Sequence, residues 1–382
     1  MNMQVRVGIN GNFSDVALLR ICELVFHAKI RLDILNVLLA EGLNLGLSKM
    51  AEASNTHEYF QLSRISRWHM ESDAINRALA MVIEAQSALP MAQFWGAGVT
   101  ASSDGQFFPA ARQGEAMNLI NAKYGTNPGL KAYTHVSDQF GPFATQNIPA
   151  TVGEAPYILD GLLMNATGKK IKEQYADTGG FTDYVFAVTS LLAYRFIPRI
   201  RDLPSKRLYV FDPAAMVAGI MPPSQLLRKF ASYPCQHELA VALREIGRIE
   251  RTLFIIDWLF DADMQRRAQI GLNKGEAHHA LKNALRIGRQ GEIRDRTAEG
   301  QHYRMAGLNI LAAVVIYWNT AQLGEAAKQR QKAGLNCSPE ASGAYLAPRM
   351  GTYLAHRRIQ VAKTMTEQAY DTIPPPAGSD PY

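Results

Sequence analysis

Apolar residues near the start of the chain recur at three- and four-residue intervals, which is the period of an amphipathic α-helix. The pattern runs through Leu18 and Cys22 and returns at Leu35 and Leu39. It predicts a helical lead-in over residues 1–94.

Near residue 95 the apolar positions take on the pattern of strands. Segments rich in β-branched and aromatic residues predict three strands, in GVTASSDGQFF, LKAYTHVSDQFGPF and ATQNIPATV. The chain then alternates between a helix in EAPYILDGLLMN, a strand in IKEQYAD, a helix in FTDYVFAVTSLLAYRF and a strand in KRLYVFD. Three strands followed by alternating helices and strands predict a mixed α/β sheet.

From Pro223 to about Ala333 the pattern is helical again. Six apolar residues form one stripe, which is expected to face the core: Leu239, Leu243, Ile246, Ile249, Leu253 and Ile256. Further on, Met305–Trp318 is nearly apolar but spans only 14 residues, whereas a bilayer requires about 20. A buried helix is therefore predicted there, with no membrane span. Residues 338–382 contain PPP and GSDP and little apolar periodicity, which predicts a poorly ordered tail.

The composition is typical of a folded protein, because 47% of the 382 residues are hydrophobic and 19% are charged. The opening residues contain no uninterrupted apolar segment, so a secretory signal is not expected. The three cysteines are scattered and form no CxxC pair. This pattern indicates neither a disulfide framework nor a zinc site and favours a reducing, cytoplasmic location.

The net charge of +6 is distributed unevenly along the chain. Between Arg266 and Arg304 the sequence holds 9 basic and 4 acidic residues. A local excess of this kind can neutralise backbone phosphates of nucleic acid, although a solvated helix face would produce the same pattern.

Three acidic residues lie where apolar periodicity does not require them. Asp104 falls inside the first predicted strand, Asp177 ends the strand IKEQYAD, and Glu276 opens a predicted helix in GLNKGEAHHA. Carboxylates gathered from two strand ends and a helix can bind hard divalent cations. His279 and Asn283 lie on the same helix face as Glu276 and could hold the ligating side chains in position.

Each carboxylate also has a structural interpretation. Asp104 and Asp177 both stand beside glycine-containing turns, and Asp183 competes with Asp177, although it fits better as the cap of the next helix. Asn273 and Glu276 have the spacing of a capping box. Spacing alone leaves these alternatives open.

Ten segments of the chain, in order from about residue 40 to about 323, resemble the transposases of the Tn-three (Tn3) family of replicative bacterial transposons. They are SSDGQFF, YTHVSDQFGPF, EAPYILDGLL, YADTGGFTDYVFA, YRFIPRIRDL, LLRKFASYP, ALREIGRIERTLFIIDWL, GLNKGEA, GEIRDR and AGLNILAAVVIYWNT. The resemblance implies an RNase H-like DDE catalytic domain over residues 95–304. A helical insertion would occupy about 214–270, and a buried C-terminal helix would follow over 305–337.

On the matching positions, the resemblance implies that Asp104, Asp177 and Glu276 are the catalytic triad and the ligands of two Mg²⁺ ions, for which Mn²⁺ could substitute. The chemistry would be cleavage of DNA at transposon ends and strand transfer into target DNA, which yields a cointegrate. The partners would be DNA and, at full length, a second copy of the protein, in the nucleoid-associated cytoplasm of a bacterium, with no small-molecule substrate. Phosphate contacts are expected from four basic residues of the positive region: Lys274, Lys282, Arg286 and Arg289.

The sequence also departs from the family pattern. It lacks most of the N-terminal part that recognises terminal repeats, and it is shorter than expected between RLYVFDPAA and PPSQLLRKF. SYPCQHEL and GEAHHA lack expected arginines, and the family ending is not recognisable after about residue 324. These departures predict a truncated copy. Two alternatives follow: a catalytically dead DNA-binding remnant that competes or associates with an intact transposase, and a host nuclease or resolvase, which the quoted segments disfavour.

Overall fold

A computed structural model describes residues 31–54, 57–110, 119–163, 165–206, 208, 234–295 and 297–332. Several predictions concern residues outside this set: the first part of the helical lead-in, the start of the helical insertion, and the tail over 338–382. Most of the strand predicted in KRLYVFD also lies outside the described residues.

The helices account for most of the described chain. We number them α1 Arg31–Gly42, α2 Leu47–Ser54, α3 Tyr59–His69, α4 Ser72–Ser87, α5 Pro90–Gln93, α6 Tyr157–Leu163, α7 Asp183–Leu191, α8 Pro234–Phe260, α9 Ala262–Leu285 and α10 Ala298–Lys332. The helical lead-in and the helical region after Pro223 are thus confirmed where the structure describes them.

Six strands form one sheet: β1 Thr100–Pro109, β2 Leu119–Ile120, β3 Pro128–Ser137, β4 Pro142–Pro149, β5 Glu173–Ala176 and β6 Arg195–Pro198. β3 pairs antiparallel with β1, β2 and β4, whereas β5 is parallel to β1 and β6 is parallel to β5. The predicted mixed α/β sheet is therefore confirmed.

The last strand of the sheet differs from the prediction. The helix predicted through Phe196 ends at Leu191, and Ala193 adopts a left-handed conformation with φ of 60°. This residue turns the chain so that Arg195 pairs with Glu173 and β6 extends the sheet. The helix-like spacing of the apolar residues could not reveal this turn, because the backbone conformation of Ala193 depends on the pairing of β6.

The helical lead-in and the sheet share one hydrophobic core. Ile34 of α1 and Ile75 of α4 belong to the same buried cluster as Tyr175 of β5 and Met264 of α9. The described lead-in helices therefore pack as part of the body that contains the sheet.

Helix α8 presents a different face to the core from the one predicted. From residue 238 onward, its buried residues are Gly247, Phe254 and Ile255. Four residues of the predicted stripe are exposed instead: Leu239, Ile249, Leu253 and Ile256. The reason is the close approach of α7, because a side chain at Gly247 would overlap the carbonyl of Asp183.

Helix α10 contains the predicted buried segment, although the helix begins earlier, at Ala298. Its segment Ala298–Gln329 is long and apolar enough to cross a membrane, and half of its most apolar window is buried inside the protein. Leu308, Ile310 and Ile316 are each at most 2% exposed. This burial agrees with the prediction of a core helix.

Candidate active site

Two of the predicted carboxylates lie where neighbouring parallel strands separate. The pairing of β1 with β5 ends at Ser103 and Ala176. Asp104 and Asp177 are the next residues on each strand, so the sheet register sets them side by side. Their closeness follows from the parallel pairing and not from their separation in sequence.

Helix α9 brings Glu276 to the same place. The helix can approach the sheet closely because Gly271 and Gly275 have no side chains on the face that meets the strands. A side chain at Gly271 would overlap the ring of Tyr175, and a Cβ at Gly275 would lie 3.4 Å from Ser102 Oγ. Glu276 follows Gly275 directly and is exposed. The structure thus places Asp177 and Glu276 near enough to Asp104 to influence the pKa of its carboxyl group.

The capping-box interpretation of Asn273 and Glu276 was wrong. Helix α9 begins at Ala262, where Asp261 accepts a hydrogen bond of 2.8 Å from the Met264 amide. Both residues therefore lie inside the helix. The cap of α7 also differs from the prediction, because Thr182 accepts from the Val185 amide, and Asp183 instead forms an ion pair with Arg251 at 2.5 Å.

His279 and Asn283 face strand β1, as their spacing from Glu276 predicts. His279 Nδ1 lies 3.8 Å from Asp104 Oδ2. Burial and, to a smaller extent, the nearby charge of Lys282 together lower the pKa of His279 to about 3. The imidazole is therefore neutral at physiological pH and is a polar neighbour of Asp104, not its counter-ion.

Gln106 links this helix to the strand and was not found by sequence reasoning. Its Nε2 donates to Asn283 Oδ1 at 2.9 Å and to the His279 carbonyl at 3.2 Å. Gln106 lies two residues after Asp104 on β1, so alternation along a strand places both on the face covered by α9. Strand alternation is the signal that could have identified it.

The electrostatics of Asp104 reflect the crowding of carboxylates. Its pKa is raised to about 7, first by burial and next by the charge of Glu154. Asp177 and Glu276 contribute smaller increases to this value, whereas the amide of Gly105, which donates to Asp104 Oδ1 at 2.7 Å, lowers it. Four carboxylates therefore influence one another here, one more than the sequence predicted.

Glu154 is the carboxylate that sequence reasoning missed. It precedes α6 and lies against Gly105, whose missing side chain leaves room for its Oε1. Lys131 Nζ donates to Glu154 Oε1 at 3.0 Å. Glu154 opens EAPYILDGLL, a segment of the family resemblance, but the segment was interpreted only as a helix start.

The donor chemistry of this cluster suits a hard divalent cation, since carboxylate oxygens are the ligands that Mg²⁺ prefers. The carboxylates near Asp104 repel its negative charge, and a bound cation would relieve this repulsion. Among the described residues, no three Asp, Glu, His or Cys side chains are already close enough to hold a metal. The cluster thus fits a cation in chemistry and would have to contract around it.

The prediction that Lys274 and Lys282 contact phosphate must be corrected, because both ammonium groups lie inside the protein. Lys274 is 7% exposed and donates to the carbonyls of Trp95 and Asp138 at 2.7 and 2.6 Å. Lys282 is 1% exposed and donates to Thr134 Oγ1 at 2.7 Å. The number of basic residues along a helix does not reveal which of them face the interior of the protein.

Arg286 and Arg289 are partly exposed. The guanidinium of Arg286 lies 4.3 Å from the ring centre of Phe108 on β1. Burial lowers the pKa of Arg286 to about 10, so it stays charged at neutral pH. Its Nε and Nη1 are buried and have no hydrogen-bond partner among the described residues.

A comparison of the sequence with models of protein families finds one match. The model of the "Tn3 transposase DDE domain" matches residues 26–222 and 214–350, which together cover most of the chain. The chain belongs to the Tn3 transposase family. The match continues past residue 324, so the expectation that the resemblance ends there was wrong. Its two segments meet at residues 214–222, in the region where the sequence is shorter than the family pattern.

Curated relatives of the Tn3 family agree with this assignment. The chain is 44% identical over 339 residues to the transposase for transposon Tn501 of Pseudomonas aeruginosa, which covers 81% of the chain and 34% of the relative. It is 43% identical over 331 residues to the transposase for transposon Tn3926 of Escherichia coli, covering 78% of the chain and 33% of the relative. The chain thus spans about a third of the length of these relatives.

Proposed function

We propose that this chain is a catalytic region that cleaves DNA at transposon ends and joins them to target DNA, as part of replicative, cointegrate-forming transposition. The observation that supports the proposal is that Asp177 and Glu276 lie near enough to Asp104 to raise its pKa, in a chain of the Tn3 family.

In this proposal the three carboxylates hold two cations. Asp104 would contact both, Asp177 would hold one and Glu276 the other. Bound Mg²⁺, or Mn²⁺ in its place, supplies charge stabilisation for phosphoryl transfer. His279 and the Gln106–Asn283 pair keep α9 in place against β1, and therefore fix the position of Glu276 relative to Asp104.

The proposed fold is RNase H-like. In its support, a central strand β1 has the antiparallel β3 and β4 on one side and the parallel β5 and β6 on the other. We propose the catalytic domain at residues 95–304 and an insertion at about 214–270, of which the described part contains α8 and the start of α9. The lead-in over 1–94 and the helix over 305–337 would pack around it.

The proposed DNA path passes Arg286. Phe108, on which Arg286 stacks, lies four residues along β1 from Asp104, or about 13 Å at the usual rise of a strand. Arg286 is partly exposed and stays charged at neutral pH, so it can bind a phosphate at the surface. Arg289 lies three residues further on, in a short 3₁₀ helix over Gly288–Gly291, and is the second candidate. Contacts of this kind position DNA without reading its sequence.

The partners follow from the same proposal. DNA from transposon ends and from the target would be the substrates, and a full-length transposase of this kind would act as a homodimer. The location would be the bacterial cytoplasm, with the nucleoid.

The test is a joining assay with the purified chain, pre-cleaved transposon-end DNA, target DNA and Mn²⁺. We expect joined product that disappears in Asp104→Asn and persists in Asp160→Asn, a matched change of a partly buried Asp in α6. Joining that survives Asp104→Asn would refute the proposed site. DNA binding without joining, in a chain whose folding is verified by circular dichroism, would support the alternative of a catalytically dead remnant.

A further inference from the structure

We propose that one side of helix α3 binds an unpaired strand of DNA. This side is formed by Phe60, Arg64, Arg67 and Trp68, and we call it the α3 ridge. The inference rests on the proposed function and extends it, because it gives the helical lead-in a contact with DNA outside the candidate active site.

The α3 ridge follows from the period of the helix. Positions i, i+4, i+7 and i+8 share one side of an α-helix, and the four ridge residues occupy these positions. The opposite side carries Leu62, Ile65 and Ser66, which are buried. The core therefore holds α3 by one side and leaves the ridge in solvent.

Two aromatic side chains of the ridge are unusually exposed for their size. Phe60 is 80% exposed and Trp68 is 74% exposed. Phe60 meets the ring of Tyr59 edge to face, with ring centres 5.5 Å apart, and this contact leaves most of the Phe60 ring in solvent. Large rings contribute strongly to binding when a partner covers them. The ridge therefore offers two stacking surfaces on a regular helix.

The arginines of the ridge decide the chemistry of the partner. Arg64 and Arg67 are exposed, and neither forms an ion pair or a hydrogen bond with any residue that the structure describes. Helix α3 itself contains no acidic residue, and the nearest ones in sequence, Glu58 and Glu71, precede and follow it. The ridge is thus complementary to a partner that carries negative charge as well as flat groups.

An unpaired strand of DNA has both of these properties. Its bases can stack on Phe60 and Trp68 while its phosphates bind the arginines between them. The two rings are eight residues apart, or about 12 Å along the helix axis, which is the length of three or four stacked bases. In a duplex the faces of the bases are already stacked on one another. An apolar protein surface would cover the rings but would leave both arginines without a partner.

The α3 ridge is anchored to the same helix pair as Arg289, the second candidate for a phosphate contact. Helix α3 packs on α1 and α2. Between those two helices, the Asn44 side chain donates to the carbonyls of Gly288 and Glu292 at 3.1 and 2.8 Å. These bonds hold the 3₁₀ turn that carries Arg289. The two basic features are therefore fixed relative to each other.

The first test measures how tightly the full chain binds a fluorescein-labelled single strand of about 16 nucleotides, by fluorescence anisotropy. Phe60→Ala and Trp68→Ala should each weaken binding about tenfold, because each removes one stacking contact. Phe260→Ala is the matched control, since Phe260 is an aromatic residue at the end of α8 that is 86% exposed. Its affinity should equal that of the wild type. The affinity for the corresponding duplex should stay unchanged in all three variants.

The arginines are tested by the salt dependence of the same binding reaction. On a single strand, each phosphate contact contributes about 0.7 to the slope of the logarithm of affinity against the logarithm of salt concentration. The double variant Arg64→Gln/Arg67→Gln should therefore reduce this slope by about 1.4. Arg77→Gln, which removes an exposed positive charge from α4, should leave the slope unchanged.

Trp68 supplies a signal that reports the contact directly. It is the exposed member of the four tryptophans, because Trp95 is buried and Trp258 and Trp318 are partly buried. Stacking on bases should quench the fluorescence of Trp68. Trp68→Phe keeps an aromatic ring, so it should retain most of the affinity and lose this quenching. Trp68→Ala should keep the wild-type melting temperature, because the side chain is exposed.

The possible outcomes are distinct. Wild-type affinity for the single strand in Phe60→Ala and Trp68→Ala, or no binding by the folded wild-type chain, would overturn the inference. Equal losses for the single strand and the duplex would overturn the assignment of an unpaired strand. The proposed function is judged separately, by joined product that is lost in Asp104→Asn. Ridge-dependent binding without joining would contradict only the catalytic proposal, and joining with unaffected strand binding would contradict only the role of the ridge.

Discussion

Replacing Lys282 with methionine should stabilise the protein, although the change removes a hydrogen bond. Lys282 lies between α9 and β3, and burial lowers its pKa from 10.5 to about 7. A decrease of this size corresponds to an unfavourable contribution on the order of 5 kcal/mol at low pH, where the buried amine would be charged. Methionine keeps the length of the apolar stem and removes the titrating group.

The gain is smaller than this contribution, because two costs oppose it. The hydrogen bond from Lys282 Nζ to Thr134 Oγ1 is lost, at about 1 kcal/mol. The slightly shorter side chain leaves a small void, at about 1 kcal/mol more. The expected stabilisation at about pH 7 is therefore about 2 kcal/mol.

The pH dependence gives the effect a distinct signature. Because the pKa is lower in the folded protein, the unfolded chain binds more protons between about pH 7 and pH 10.5, and stability rises with pH across this window. Burial also lowers the pKa values of His278 and His279, which lie near Lys282, so both stay neutral throughout. The variant loses this rise, and its advantage should vanish near pH 9.5, where the remaining penalty is about 1 kcal/mol.

Urea unfolding followed by circular dichroism, at about pH 7 and about pH 9.5, measures both quantities. Lys172→Met is the control, because Lys172 is exposed and the same substitution there should change little. A variant at position 282 that is less stable than wild type at neutral pH, or an effect that is the same at both pH values, would refute the reasoning.

The remaining predictions concern a glycine pair and a buried histidine. Gly271→Ala should destabilise the fold by about 1–3 kcal/mol, because its new side chain would overlap Tyr175. Gly275→Ala should be tolerated, because the added Cβ would lie at an ordinary contact distance from its neighbour. Equal melting temperatures for the two variants would contradict this account. Burial lowers the pKa of His135 from 6.5 to about 4, so the unfolded chain binds more protons below pH 6.5, and stability falls by about 3 kcal/mol as the pH drops to 4. In His135→Gln this contribution to the acid slope should be missing from urea titrations, and an unchanged slope would exclude it.

Part of the candidate site was predictable because its signals are local. Asp104 in a strand of alternating residues and Asp177 at the end of another are visible in the sequence, and the segments around them carry the family resemblance. Their proximity follows once β1 and β5 are assumed to be parallel neighbours. Glu276 was also selected as a candidate, but its helix position was predicted wrongly, because Asn273 and Glu276 imitate the spacing of a helix start.

The basic residues illustrate the limit of this reasoning. Lys274 and Lys282 differ from Arg286 in burial, yet all three are simply cations in a positive region of the sequence. Their depth depends on how closely α9 packs on the sheet, and the glycines at 271 and 275 permit that approach. The residues that these cations contact lie far away in sequence. Lys274 donates to the carbonyls of Trp95 and Asp138, Lys282 donates to Thr134, and Arg286 stacks on Phe108.

The sequence by itself determined most of the order of helices and strands, the family and the positions of Asp104 and Asp177 near the ends of two strands, because these depend on short-range periodicity and on contiguous segments. Only the tertiary structure decided which face of α8 is buried, which lysines are removed from solvent and that Glu154 approaches Asp104. Each of these depends on contacts between segments distant in the chain. The physical reason is that burial and electrostatic coupling depend on which segments pack together in space. The pattern of residues along the sequence predicts only contacts that form within one helix or strand.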